Sequence, residues 1–129
     1  MGMNTLHKIF LLLVISVIGG CSAYNQVDFE QEYMVEAYVI ADRTLPDVRL
    51  SLTQEAFQTY DFEQAAVSDA LVQIELLDEN SSVVRIFSYS NVAPGIYSVD
   101  DRSYKAESGS TYRLIVEAAD ATIQSELLH

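Results

Sequence analysis

The chain has 129 residues, half of them hydrophobic, with 19 acidic side chains against seven basic ones and a formal charge of −12. That length fits one domain with short extensions and excludes most multidomain enzymes. So acidic a chain has few basic side chains to neutralise phosphates, and nucleic acid is therefore not an expected partner. One cysteine, two histidines and no tryptophan exclude a disulfide scaffold, a zinc knuckle and most histidine chemistry.

The first twenty residues have the form of a secretory leader. Lys8 precedes the uncharged apolar run 9–18, and two glycines follow it. A helix that spans a bilayer needs roughly 20 apolar residues, and this run is about half that length. A basic start, a short apolar stretch and small residues before a cut are typical of a signal peptide. We therefore predict that residues 1–20 are a signal peptide.

The end of this leader carries the most specific motif of the sequence. Ile18, Gly19, Gly20 and Cys21 resemble a bacterial lipobox, in which an aliphatic residue and two small residues precede the cysteine. The resemblance implies that the thiol of Cys21 carries diacylglycerol, that cleavage precedes it, and that the new amino terminus is acylated. Lipid chains contribute about 0.8 kcal/mol per buried methylene, so three chains anchor a protein firmly. The alternatives are an ordinary signal peptide or an uncleaved hydrophobic anchor.

Residue 22 bears on the location of the anchored protein. An aspartate after the acylated cysteine would suggest retention at the inner membrane, and Ser22 therefore favours the bacterial outer membrane. Nothing near Cys21 distinguishes the periplasmic face from the cell surface. Residues 21–32 are predicted to be an acidic tether, because they are polar and aperiodic. Their lack of lysine and arginine argues against binding to an anionic membrane surface.

From residue 33 onward, β-branched and aromatic residues recur in short runs between turn-forming clusters, which predicts an all-β domain over 33–129. Alternating apolar residues place one face of each run in a core. The seven predicted strands are 33–40, 48–53, 70–77, 82–89, 96–99, 111–118 and 122–127. The predicted core residues are Val39, Leu50, Leu52, Val72, Ile74, Leu76, Leu114, Val116 and Ile123.

The turns between these strands carry recognisable signals. Residues 78–81 (DENS) are typical of a hairpin turn. Pro94 and Gly95 suit a type II turn, since proline presets a negative φ and glycine accepts the positive φ that follows. Gly109 three residues before Tyr112 predicts a tyrosine corner, in which the hydroxyl bonds to upstream backbone. A plain strand with a buried tyrosine is the alternative.

The whole pattern predicts a β-sandwich of about seven strands. It is either immunoglobulin- or fibronectin-like or transthyretin-like, and its two sheets bury their alternating faces. Residues 54–70 are the longest predicted loop, with room for a helical turn around residues 64–66. No disulfide is available once Cys21 is acylated, so the aliphatic faces must supply the stability.

Several segments together carry a family resemblance: YMVEAYVIAD, VRLSLT, SDALVQIELLDEN, APGIYSV and ESGSTYRLIVEA. With the lipobox, they resemble the N-terminal part of the Bacteroidetes lipoproteins grouped as domain-of-unknown-function family 4249. Residues 95–97 and 109–114 stand where the family has a Gly-x-Tyr element and a Gly-x-x-Tyr-x-Leu strand. The resemblance covers residues 21–129, which correspond to about the first half of the usual family length. It therefore implies that the sequence is a fragment, a truncated product or a short relative.

The resemblance also implies a setting. Similar proteins often accompany TonB-dependent nutrient transporters, which implies that an outer-membrane transporter or another envelope protein is the partner. None of the matching motifs is catalytic, so the resemblance bears on fold and location more than on activity.

The residues that could perform catalysis are few. His129 is the only histidine after the leader, and no free thiol remains, so a nucleophilic triad or a Cys–His pair is not expected. Paired carboxylates for glycoside hydrolysis are not excluded by counting, but most acids of such a domain lie on solvated faces. We predict that the protein is not an enzyme and has no catalytic residues.

Loop carboxylates raise the question of calcium, which takes oxygen ligands. They occur at Asp42, Asp47, 78–79 and 100–101, but no segment has the spaced Asp-x-Asp-x-Asp pattern of a dedicated calcium loop. We predict no metal and no cofactor apart from the lipid on Cys21, with a structural calcium as the less favoured alternative.

Exposed aromatic rings are the remaining candidates for binding. Tyr60 and Phe62 lie in the longest loop, and loops on a rigid scaffold often carry binding residues. Exposed rings would stack on sugars or anchor a protein partner. For any single tyrosine of the domain, the favoured interpretation is instead that its ring fills the core or its margins, and Tyr60 fits that interpretation least. The sequence thus predicts a non-enzymatic, outer-membrane-anchored lipoprotein that is an accessory or interaction module of a cell-envelope complex. The alternatives are a glycan-binding surface lipoprotein and a fimbrial or adhesion subunit that exchanges strands.

Overall fold

A computed structural model of the chain describes residue 4 and residues 28–128. The predicted cleavage site, the lipobox residues Ile18, Gly19 and Gly20, and the acylated Cys21 lie outside the described residues, as does His129. Within the described part of the chain, no helix has the length and hydropathy needed to cross a membrane.

The described residues form seven strands and one short helix. In chain order these are β1 (Tyr33–Glu36), β2 (Val48–Leu52), α1 (Phe62–Ala65), β3 (Leu71–Leu77), β4 (Val83–Ala93), β5 (Ile96–Val99), β6 (Thr111–Glu117) and β7 (Thr122–Leu128). Each predicted strand contains one observed strand or overlaps it. The all-β prediction with seven strands is therefore confirmed.

All seven strands belong to one antiparallel sheet in the order β1-β2-β5-β4-β3-β6-β7. The long strand β4 joins its two halves. Residues 83–88 pair with β3, and residues 89–93 pair with β5. Because one strand serves both halves, the sheet curls continuously. The single curled sheet does not by itself establish the two-sheet sandwich that the sequence predicts.

The core lies on the concave inner face, where side chains from both halves meet. Leu50 and Tyr97 come from one half, and Ile74, Leu114 and Val116 come from the other. Four of the predicted core residues are only half-buried. Three of them pack against this cluster, namely Val39, Leu76 and Ile123, whereas Leu52 does not. Tyr97 and Tyr112 are almost fully buried in the core, as expected for most of the tyrosines.

Two strand boundaries differ from the predicted ones by four residues each, and the others differ by at most one. Strand β1 ends at Glu36 instead of residue 40, because the following loop turns away at Asp42, whose φ is 63°. That loop pairs with a distant one: Asp42 N donates to Ala106 O, and Ala106 N donates to Arg43 O, both at 2.8 Å. Strand β4 continues past Tyr89 to Ala93, because its last residues have β5 as a partner.

The predicted turns are found. Gly95 has a φ of +66°, as its predicted position in a turn requires. In the β3–β4 hairpin, Asp78 Oδ1 accepts hydrogen bonds from Asn80 N and Ser82 N, each at 2.9 Å. The tyrosine corner is confirmed, since Glu107 N donates to the buried Tyr112 Oη at 2.9 Å.

Candidate functional site: a cavity beside the long loop

The long loop between β2 and β3 runs beside β2 at residues 66–67, and its Tyr60 and Phe62 cover part of the outer face of β2, opposite the core. Val67 N donates to Leu50 O at 3.1 Å, and Ser51 forms an isolated β-bridge with Ala66. The predicted helical turn is present as α1, and Asp61 caps it by accepting from Glu63 N at 3.0 Å. The loop therefore buries Ser51, which strand alternation alone places on an exposed face.

A cavity of about 300 Å³ opens between this loop and the first two strands. Its floor consists of cross-strand neighbours, because Met34 lies opposite Ser51 and Glu36 lies opposite Arg49. Its lining residues are Met34, Glu36, Arg49, Ser51, Tyr60 and Phe62. The volume is at the lower end of the range for small-molecule sites.

Arg49 is the cation of this cavity. Its guanidinium carbon lies 4.4 Å from the centre of the Phe62 ring, and its Nε lies 3.7 Å from Glu36 Oε2. Both charged side chains are about half exposed, so the ion pair contributes little to stability. The cation–π contact is worth about 0.5–1 kcal/mol at such a site. Because Arg49 covers one face of the Phe62 ring, only part of that ring is available to a ligand.

Tyr60 presents the more accessible ring. Its side chain is 48% exposed, and its Oη lies 3.1 Å from Ser51 Oγ. The hydroxyl contact orients the ring against β2 and leaves part of the ring surface in the cavity. Together with Arg49 and Glu36, it combines an aromatic surface with a hydrogen-bond donor and an acceptor, a combination that suits a small polar ligand such as a sugar.

The two aromatic residues singled out in the sequence thus line one cavity. Their placement is compatible with ligand binding, which stays a prediction. The anchor residue Cys21 and the lipobox lie outside the described residues.

Sequence reasoning missed a second exposed aromatic group. Phe57, in the same loop, is fully exposed, and Phe29 is 44% exposed. Both line an open cleft of about 710 Å³ together with Asp28, Glu30, Glu32, Glu55 and Ala56. The cleft lies where the tether joins the sheet, because Thr53 N donates to Glu32 O at 2.8 Å. The sequence did contain a signal for this exposed group, because Phe57 is a large apolar residue in the mostly polar stretch QEAFQTYD.

The loop carboxylates considered for calcium are not gathered into a cluster. Asp47 Oδ1 accepts from Ser98 Oγ at 2.6 Å, and Asp100 Oδ1 accepts from Ser90 Oγ at 2.6 Å. Hydrogen bonds from the side chain and backbone of Ser103 lower the pKa of Asp101, with a smaller contribution from Arg85. Among the described residues, no group of three or more potential ligands could hold a metal ion.

Burial shifts the titration of several tyrosines in the core. It raises the pKa of Tyr89 well above the ordinary value of 10.0, and the carboxylate of Asp47 raises it further. Burial also raises the pKa of Tyr97, and the hydrogen bond from Ala70 N opposes this shift. These groups stabilise the fold and lie outside the cavity.

Comparison of the chain with protein-family models, with curated proteins and with solved structures finds no match. The resemblance to family 4249 is therefore neither supported nor refuted, and it stays a hypothesis.

Proposed function

We propose that the protein is a non-enzymatic lipoprotein of the bacterial outer membrane, held by lipid on Cys21. In this proposal its β domain is an accessory or interaction module of a cell-envelope complex. The observation that carries the proposal is that the only cysteine of the chain ends the motif Ile18-Gly19-Gly20-Cys21 directly after a short apolar leader. The resemblance to family 4249 supports a nutrient transporter as the partner.

The length of the tether supports an interaction close to the membrane. Asp28 follows Cys21 by seven positions, a stretch that spans at most about 25 Å when extended. The cleft with Phe29 and the fully exposed Phe57 would then lie near the bilayer. Exposed large apolar side chains that lie together are typical of protein interaction sites.

We further propose that the curled sheet is a two-layer sandwich. The inner faces of the two halves supply one core, as the two layers of a sandwich do. Tyr33 Oη on β1 also donates to Asp120 Oδ1 in the β6–β7 turn, so the opposite ends of the sheet approach each other. We therefore regard the curled sheet as an immunoglobulin- or transthyretin-like sandwich in which β4 passes from one layer to the other.

The anchor is tested by metabolic labelling with palmitate. Wild type should be labelled and should migrate as a processed protein, because Cys21 supplies the thiol that is acylated. Cys21→Ala should lose the label and accumulate as precursor, whereas Ser22→Ala keeps both label and processing. Undiminished labelling of the Cys21→Ala variant would refute the anchor.

Glycan binding is the second candidate function, and the cavity with Tyr60 and Arg49 favours it. Tyr60→Ala should weaken binding to a responsive sugar on a glycan array about tenfold, or about 1.4 kcal/mol, because it removes the ring on which the sugar would stack. The matched control is Tyr38→Ala, since Tyr38 is 78% exposed and does not line the cavity. An equal loss of sugar affinity in the two variants would contradict glycan binding in this cavity, as would the absence of sugar binding by wild type.

A further inference from the structure

The sheet has one long free edge. Strand β7 pairs with β6 at all seven of its positions, from Thr122 opposite Glu117 to Leu128 opposite Thr111. Among the described residues, no strand pairs with its other side. The opposite edge, β1, has only four residues, and its Tyr33 is bonded to the β6–β7 turn. The two edges therefore differ in their capacity to accept another strand.

The hairpin that precedes β7 determines which backbone groups face this free side. Ala118 N donates to Ala121 O at 2.8 Å, so this pair is hydrogen-bonded. Bonded and non-bonded pairs alternate along an antiparallel ladder. The N–H and C=O groups of Ile123 and Ser125 consequently face β6, whereas those of Thr122, Gln124 and Glu126 face outward.

This edge lacks the features that usually block pairing. Natural edge strands are commonly protected by proline, lysine or a bulge. The segment TIQSE from Thr122 to Glu126 has no proline and no lysine, and its register with β6 is unbroken. Glu126 is its only charged residue.

We propose that two copies of the chain pair through β7, antiparallel about a two-fold axis at Ser125, so that their sheets join into one. With the axis at Ser125, every residue of β7 finds a partner, and Gln124 lies opposite Glu126 of the other copy. The amide of Gln124 can then donate to the Glu126 carboxylate, and the symmetry repeats this contact. An axis at Glu126 would place two carboxylates opposite each other, which is unfavourable, and an axis at Gln124 would shorten the ladder.

The same geometry favours a second copy as the occupant. In an isologous interface both copies contribute the same surface, so the assembly closes as a dimer. A filament needs two different surfaces on each copy. The sheet formed by residues 33–128 offers one long edge, and the pairing of Gln124 with Glu126 makes that edge complementary to itself. The formal charge of −12 on each copy opposes pairing, but at 0.1 M salt repulsion is largely screened beyond about 10 Å.

Cysteine cross-linking of the full chain tests this register. In the proposed dimer Ser125 meets itself in a non-bonded pair, where the Cα atoms lie about 4.5 Å apart, within the range for a disulfide. Under mild oxidation, Ser125→Cys should give a disulfide-linked dimer on a non-reducing gel. Ser88→Cys is the control, because Ser88 is exposed on β4 in the interior of the sheet. Both variants retain Cys21, so its contribution cancels.

A second variant separates edge pairing from folding. Gln124→Pro removes an N–H that faces the free side and leaves the bonds to β6 in place. In the Ser125→Cys background it should reduce the cross-linked dimer at least tenfold while circular dichroism still shows a β spectrum. The proposal is overturned if folded Ser125→Cys stays monomeric, if Ser88→Cys cross-links equally, or if Ser125→Cys cross-links to a different protein.

Discussion

At Gly95 the backbone leaves no room for a side chain. Its φ is +66°, and an added Cβ would lie 2.5 Å from Leu50 O and 2.9 Å from the Cβ of Ala66. Leu50 N also donates to Gly95 O at 2.8 Å, so the turn cannot move away from β2 without breaking this bond. The residue thus joins the β4–β5 turn to β2 and to the long loop.

Gly95→Ala should therefore lower the free energy of unfolding by about 2–4 kcal/mol, since strain at positive φ and a backbone clash act together. Urea denaturation measures the loss. Gly109→Ala is the matched control, because Gly109 has a φ of +79° but an added Cβ would meet nothing within 4 Å. It should lose only about 1 kcal/mol. Equal losses would show that the contact with Leu50 is unimportant.

Single-residue predictions from the sequence succeeded where the signal is local. Gly95 and Tyr112 stand at fixed positions relative to a turn, and the residue type alone indicates their conformation or contact. The burial of Ser51 and the exposure of Phe57 could not be predicted in the same way. Both depend on how the long loop packs against the sheet, which strand alternation does not encode.

At the scale of the elements, an ion pair joins β3 to β6 on the outer face of the sheet. Arg113 Nε donates to Glu75 Oε2 at 2.8 Å, and Gln73 Nε2 donates to Glu75 Oε1 at 3.1 Å. Glu75 is only 6% exposed, although alternation places it opposite the core. Arg113 Nη2 donates to Glu75 Oε2 as well, so the carboxylate depends on the Arg113 guanidinium and the Gln73 amide in place of water.

Glu75→Ala should destabilise the protein by about 2–3 kcal/mol, because it leaves the guanidinium of a largely buried pair without its carboxylate. Thermal unfolding monitored by circular dichroism gives the change. The exposed pair of Glu36 and Arg49 offers a comparison, and Glu36→Ala should change stability by less than about 1 kcal/mol. A loss for Glu75→Ala no larger than that for Glu36→Ala would mean that water replaces the carboxylate.

The strands themselves could be predicted because each has a local period, but their lengths depend on partners. Strand β4 extends to Ala93 since β5 is available to pair with it, and β1 stops at Glu36 since the next loop pairs with residue 106. The cavity shows the same limit. Sequence identified Tyr60 and Phe62, but the strand register that brings Glu36 and Arg49 to them was not predictable from the local pattern.

For the whole molecule, the alternation of apolar residues determines which face of each strand is buried and leaves the order of the strands open. A two-sheet sandwich and one curled sheet require the same faces. The difference lies in β4, which is long enough to pair with β3 through its first part and with β5 through its second part. The predicted strand ended at Tyr89, the first residue that pairs with β5, so the sequence did not indicate a continuous sheet.

Stability of the whole domain should fall at alkaline pH, because folding keeps core tyrosines protonated. Burial raises the pKa of Tyr89 above 10.0, and its Oη donates to Pro46 O at 2.9 Å. A group whose pKa is raised on folding contributes its full stabilisation below the pKa of the unfolded chain and loses it as pH rises. For Tyr89 the loss begins near pH 10 and approaches about 1.4 kcal/mol per pH unit.

Urea denaturation at pH 8 and at pH 11 measures this dependence, and Tyr89→Phe isolates the part due to Tyr89. Phenylalanine cannot ionise, so the variant starts less stable at pH 8 through loss of the bond to Pro46 but declines less between the two pH values. Tyr38→Phe, at an exposed position, should decline as wild type does. If Tyr89→Phe and wild type lose the same free energy from pH 8 to pH 11, ionisation of Tyr89 is not coupled to folding.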